Sequence, residues 1–229
     1  MARRDRPERA DTAARILSTA EELVQVRGFN GFSYGDIAAE LHITTASLHY
    51  HFAGKAELGL ALISGYARRF SEALTAIAAR PIDARAKLYA YAALYADVLA
   101  AERMCLCGIL AAEYHTLPVP MRNAVNKFFD DNETWLRKVL TDGQQAGTLH
   151  FTGSAGEAAR TIIGGLEGAM LVARSYGDVS RFSVAANRLL ASLVGDDGVT
   201  PTTKSGPRRQ LPDADPHRRP ALRSGGRRR

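Results

Sequence analysis

The chain has 229 residues, 46% of them apolar and 24% charged, a composition that fits one ordinary globular domain or two small ones and excludes fibrous and membrane-spanning classes. Its apolar runs fall well short of the roughly 18 residues a bilayer crossing needs, and Met1-Ala-Arg-Arg-Asp-Arg has no apolar run behind it, so a cytoplasmic protein is expected. The formal net charge of +6 is unevenly placed: residues 200–229 carry +7 and residues 1–199 sum to −1, so bulk charge gives no argument for nucleic-acid binding by the folded part.

From about Arg9 to Val194 apolar residues recur at steps of three and four, and no stretch alternates with period two, which predicts an all-α protein. A first helix is expected over 12–27, with Gly28 as the residue that ends it. A short second helix starts at Ser33, whose hydroxyl and Asp36 three residues on can form a reciprocal cap, and it runs through Leu41. His42-Ile43 turns the chain, Thr44 caps a third helix over 45–51, and Ala53-Gly54 separates it from a long helix beginning at Lys55. Beyond it the punctuation thins, and helices are expected over 55–79, 83–115, 120–146, 154–176 and 178–194, with breaks allowed inside the second. The chain therefore divides into a three-helix module with an N-terminal arm (1–54), a larger helical bundle (55–199) and a Pro-, Gly- and Arg-rich tail (200–229) expected to be disordered and solvated. The arm, with Arg3, Arg4, Arg6 and Arg9 against Asp5 and Glu8, is read as a solvated end.

Two short capped helices joined by a tight turn suit a helix-turn-helix, because the second of them must stand clear to enter a major groove. Thr44, Thr45, Ser47, His49, Tyr50 and His51 offer hydroxyl, phenol and imidazole groups for phosphates and base edges, while Leu48 and Phe52 anchor the helix from behind. The ordered run from Gly28-Phe29-Asn30-Gly31-Phe32-Ser33-Tyr34 through Asp36-Ile37-Ala38-Ala39-Glu40-Leu41 and Ile43-Thr44-Thr45-Ala46-Ser47-Leu48-His49-Tyr50-His51-Phe52 to Lys55-Ala56-Glu57-Leu58 resembles the DNA-binding domain of the TetR (tetracycline repressor) family. The resemblance covers some 45 residues, and the family's size and helical second domain agree with the division above. It implies DNA contacts from Ser33, Tyr34, Thr44, Thr45, Ser47, His49, Tyr50 and His51, and a backbone-phosphate contact from Lys55. Two positions depart from the family pattern: His49 stands where Tyr is usual, and Gly35 where a larger polar residue is common.

The bundle carries more large side chains than its Ala-rich helices need, and the resemblance implies that some of them, nominally Tyr91, Tyr114, Trp135, Met170 and Cys105, line a cavity for a small-molecule effector. Cys105-Leu106-Cys107-Gly108 resembles a Cys-Leu-x-Gly pattern of one family branch, some of whose members sense electrophiles, although a buried packing thiol explains Cys105 as well. With two cysteines and no Cys/His cluster at zinc spacing, neither a metal nor a cofactor is expected. Small residues over 161–169, with Gly164, Gly168, Leu171, Phe182 and Leu189, are assigned by the resemblance to a four-helix homodimer interface, as a pseudo-palindromic double-stranded operator requires. The function expected is a dimeric DNA-binding repressor, not an enzyme, released from its operator by an effector. Two alternatives stand beside it: a helical dimer that binds a small molecule or protein without DNA function, and a cysteine-dependent enzyme nominating Cys105 and His115, which needs a helix break between them.

Overall fold

Ile16, Ala20 and Val24 recur at four-residue steps and are fully buried, which fixes the inner face of the first helix. In the computed structural model, which describes residues 5–193, that helix is α1 (Asp5–Arg27). It is followed by α2 (Tyr34–Leu41), α3 (Thr45–His51), α4 (Lys55–Ala79), α5 (Ala84–Ala100), α6 (Leu106–Ala112), a 3-10 turn (Tyr114–Thr116), α7 (Val119–Gln145), α8 (Ala155–Ser175) and α9 (Val179–Ala191), so the described residues are all-helical. The described residues fall within one compact unit, and the basic tail lies outside them.

Local chemistry sets most of the ends. Gly28 stops α1 with φ +83, a conformation that a β-carbon disfavours, and a β-carbon there would also strike the Glu113 carboxylate. Ser33 and Asp36 form the reciprocal cap of α2, Thr44 Oγ1 accepts from Ser47 N at 3.2 Å to cap α3, and Asp83 caps α5. His42 takes the left-handed turn between α2 and α3 at φ 55.

The stretch 83–115, expected to be helical with breaks allowed, is three pieces. α5 ends at Ala100, Glu102 turns left-handed at φ 59, and Met104 N donates instead to Gln25 O at 3.2 Å, pinning the chain to the end of α1. Cys105 then caps α6, its sulfur accepting from Gly108 N at 3.4 Å. Gly143 lies inside α7, with Leu149 and Ala84 packed where its side chain would be, and Gly147 at φ 68 makes the turn. α1 packs on α2, α4 and α6, and α8 packs on α7 and α9, so one continuous apolar core runs from the three-helix module into the bundle.

Candidate DNA-reading and effector sites

α3 stands on Leu48, which is 0% exposed, while Thr44, Thr45, His49 and Tyr50 face solvent and Ser47 and His51 are half-buried. Tyr50 is 61% exposed, and the Arg9 guanidinium lies 4.4 Å from its ring centre, so one surface carries a phenol and a cation together. His49 packs its ring 4.8 Å from that of Tyr34, with Nδ1 3.2 Å from the Ala53 carbonyl oxygen. Two residues nominated for DNA already have structural duties. Ser33 caps α2, and the Tyr34 hydroxyl donates to Phe52 O at 3.1 Å, bracing the end of α3.

Lys55, expected to touch a backbone phosphate, has partners within the module. Its ammonium donates to the Phe32 carbonyl and lies 4.1 and 4.9 Å from the ring centres of Phe32 and Phe29. The cation is turned into the module, and this desolvation lowers its pKa.

The module is wired to the bundle by polar bonds that range from buried to exposed. Gln25 Nε2 donates to Met104 O at 2.9 Å, and the Arg174 guanidinium donates to Gln25 O at 2.8 Å and to Val26 O. Glu113, just past α6, accepts from Phe29 N at 2.7 Å and Asn30 N at 3.4 Å. None of these partners was expected from the sequence.

In the bundle the nominated effector residues separate into groups. Tyr91 and Trp135 stack at 5.6 Å, and the Tyr91 hydroxyl bonds Tyr95 at 3.0 Å and donates to Asn132 Oδ1 at 3.2 Å. Cys105 and Met170 meet through Cys105 N, which donates to Met170 Sδ at 3.4 Å. Tyr114 belongs to neither group, sitting half-buried on the 3-10 turn beneath Arg122. Cys105 and His115, the pair an enzyme would need, stand at opposite ends of α6, the first buried and the second exposed.

The residue that sequence reasoning missed is Glu167. The residue is half-buried, its carboxyl lies over Gly108 on α6, and Oε1 is sealed from solvent with no hydrogen-bond partner. Burial raises its pKa to about 7, with the Cys105 thiol opposing in part. Burial, and then Glu167 itself, push both Cys105 and Cys107 well above the ordinary thiol range. Two cavities flank the aromatic cluster: one of about 360 Å³ between α1, α4 and α5 has Tyr66 in its wall, and one of about 340 Å³ between α4 and α7 has Asn132 and Trp135. Phe70 lines both.

On α8, Gly164 and Gly168 open onto empty space, and Leu171 (61% exposed), Val172 and Tyr176 continue the same exposed surface, joined by Val184 (69%) on α9. Phe182 and Leu189 are corrected. Phe182 is 1% exposed inside its own protomer, and Leu189 covers Gly165 in the packing of α9 on α8.

A capped helix-turn-helix with a polar outer helix, tied to a helical bundle with pockets between its helices, is the design of a two-domain transcription regulator, and the chain belongs to the TetR family. The profile of bacterial regulatory proteins of the tetR family matches residues 16–62, and that of the tetracyclin repressor-like C-terminal domain matches residues 84–189. A TetR-family transcriptional regulator from Agrobacterium tumefaciens is similar in structure, with a TM-score of 0.79 and 31% identity over 82% of this chain and 100% of that one. A TetR regulator from Legionella pneumophila shows a TM-score of 0.72 and 34% identity over 78% of this chain and 95% of that one. The HTH-type transcriptional repressor NemR of Escherichia coli K12 is 25% identical over 171 residues, 72% of this chain and 84% of its own length.

Proposed function

We propose that the protein is a cytoplasmic homodimeric repressor that grips a pseudo-palindromic double-stranded operator through α3 and lets go when a small molecule enters the bundle. The observation that carries this reading is the outer face of α3, where hydroxyl, phenol and imidazole groups stand in solvent on a fully buried Leu48 anchor. The exposed apolar surface of α8 and α9 around Gly164, Gly168 and Leu171 supports pairing of two copies, which would set two reading helices about 34 Å apart, one turn of DNA. The cavities beside Phe70 support entry of an effector.

A gel shift against DNA from upstream of the chain's own gene tests the reading. Thr45→Ala and Tyr50→Ala should each weaken operator binding about tenfold or more, at roughly 1–3 kcal/mol per lost base contact, with melting temperature unchanged. Undiminished binding by the double variant would remove the recognition role of α3. No shift at all would favour a helical dimer without DNA function.

A further inference from the structure

α3 has no lysine or arginine of its own, and the module that carries it is acidic: residues 9–54 place Arg9, Arg15 and Arg27 against Asp11, Glu21, Glu22, Asp36 and Glu40. A surface of that balance is repelled by a polyanion unless a cation stands where the phosphates pass. Arg27 lies 3.7 Å from Asp36, and Lys55 has its partners in Phe29 and Phe32. Arg15 stands six positions after Arg9 on α1, roughly 120° away around the helix. Arg9 is exposed, and its guanidinium lies over the Tyr50 ring at 4.4 Å from the centre, so α1 delivers a cation to the outer face of α3. The sequence alone groups Arg9 with the solvated arm, because its ring partner comes two helices later.

We propose that Tyr50 holds Arg9 as the phosphate-gripping cation of the reading module, each copy of the chain closing this guanidinium on the DNA backbone beside the groove that α3 enters. A guanidinium lying over a ring keeps its N–H donors in its own plane, so its face rests on Tyr50 while its edge bonds both oxygens of one phosphate. A side chain already held in place loses less freedom when it binds, so Tyr50 strengthens the grip without touching the phosphate. Arg9 is thereby the contact residue and Tyr50 its positioning residue, with the phenol hydroxyl left to the readout by α3 itself. A phosphate carries no base identity, so this pair sets affinity and register, and the choice of sequence stays with Thr45 and its neighbours on α3. This inference rests on the reading of α3 as the DNA-reading helix.

The test measures binding of the full chain to DNA from upstream of its own gene and to a random duplex of equal length, by fluorescence anisotropy from about 50 to 200 mM salt. Arg9→Ala should weaken both duplexes by the same factor. It should also lower the salt slope by about two units, one from each copy of the dimer, so its affinity deficit shrinks roughly tenfold across that range. Tyr50→Ala removes no charge yet should lower the slope as well, and the double variant should fall no lower than Arg9→Ala alone, whereas Tyr50→Phe should keep the wild-type slope. Both side chains are exposed, so melting temperature should not move. A wild-type slope in Arg9→Ala or in Tyr50→Ala, a loss confined to the operator in Arg9→Ala, or slope losses that add in the double variant would each overturn the proposal. Thr45→Ala separates this inference from the reading beneath it, since it should weaken operator binding alone and keep the slope. Wild-type affinity of Thr45→Ala for both duplexes would remove base reading by α3 while the Arg9 grip stands, and no binding of either duplex by the unaltered chain would remove both.

Discussion

Glu167 also sets a pH signature on stability. In the unfolded chain its carboxyl ionises near 4.5, whereas in the core it holds its proton up to about 7. Below pH 4.5 both states are protonated and burial carries no charge penalty. As pH rises from 4.5 to 7 the folded state binds more protons than the unfolded one, so stability falls, and above 7 the loss is complete at about 3 kcal/mol. Glu167→Gln should therefore match the wild type at pH 4.5 and exceed it by up to that amount at pH 8. Urea midpoints across this range measure the difference, and a gap that does not vary with pH would show that the carboxyl is not desolvated. Nothing near Glu167 in the sequence announces this burial, since Gly-Gly-Leu-Glu-Gly-Ala reads as a helix with one polar residue outward. What draws the side chain inward is the vacancy above Gly108, some 60 positions earlier, and that pairing exists only once α6 lies on α8. The intramolecular partners of Lys55 were hidden for the related reason that its aromatic and carbonyl neighbours lie more than 20 residues back.

α6 is seven residues long, about 10 Å of helix, and its two ends meet different parts of the molecule. Gly108 near its start lies beneath the Glu167 carboxyl, and Glu113 just beyond it holds the amides of Phe29 and Asn30 beside the reading module. A shift of this helix in response to core chemistry would be felt at the base of the helix-turn-helix. Glu113→Ala leaves the part-buried Phe29 amide without its acceptor and should cost roughly 1 kcal/mol while lowering operator affinity. Glu72→Ala breaks only an exposed pair with Arg68 and should stay within about 0.5 kcal/mol and bind DNA normally, so melting and gel-shift curves for the two variants test the coupling. At this scale the sequence was most readable where structure is local: the Ser33–Asp36 cap, the Thr44 and Asp83 caps and the Gly28 stop are decided within three or four residues. The break after Ala100 was not readable, because it depends on a backbone pairing between Met104 and Gln25, 79 positions apart.

For the whole molecule, operator recognition needs two copies, and the exposed surface of α8 and α9 is where pairing is proposed. Leu171→Asp should leave the fold intact, shift sedimentation from dimer to monomer and reduce operator affinity, whereas Phe182→Ala should act through the protomer itself, costing roughly 3–5 kcal/mol. An intact Leu171→Asp dimer would move the interface elsewhere. Periodicity places both residues on apolar stripes but does not say which stripe meets the chain's own core, which is why Phe182 was expected at the interface. The bonds from Gln25 and Val26 to Arg174, and from Phe29 to Glu113, also impose an order on synthesis. At about 5–20 residues per second, the ribosome needs roughly ten seconds to travel from the end of α3 to Arg174, and until then the base of the reading module lacks the partners that hold it. A chain whose translation aborts before the end of α8 therefore carries the complete recognition sequence on an unbraced support, and competes poorly with finished repressor for the operator.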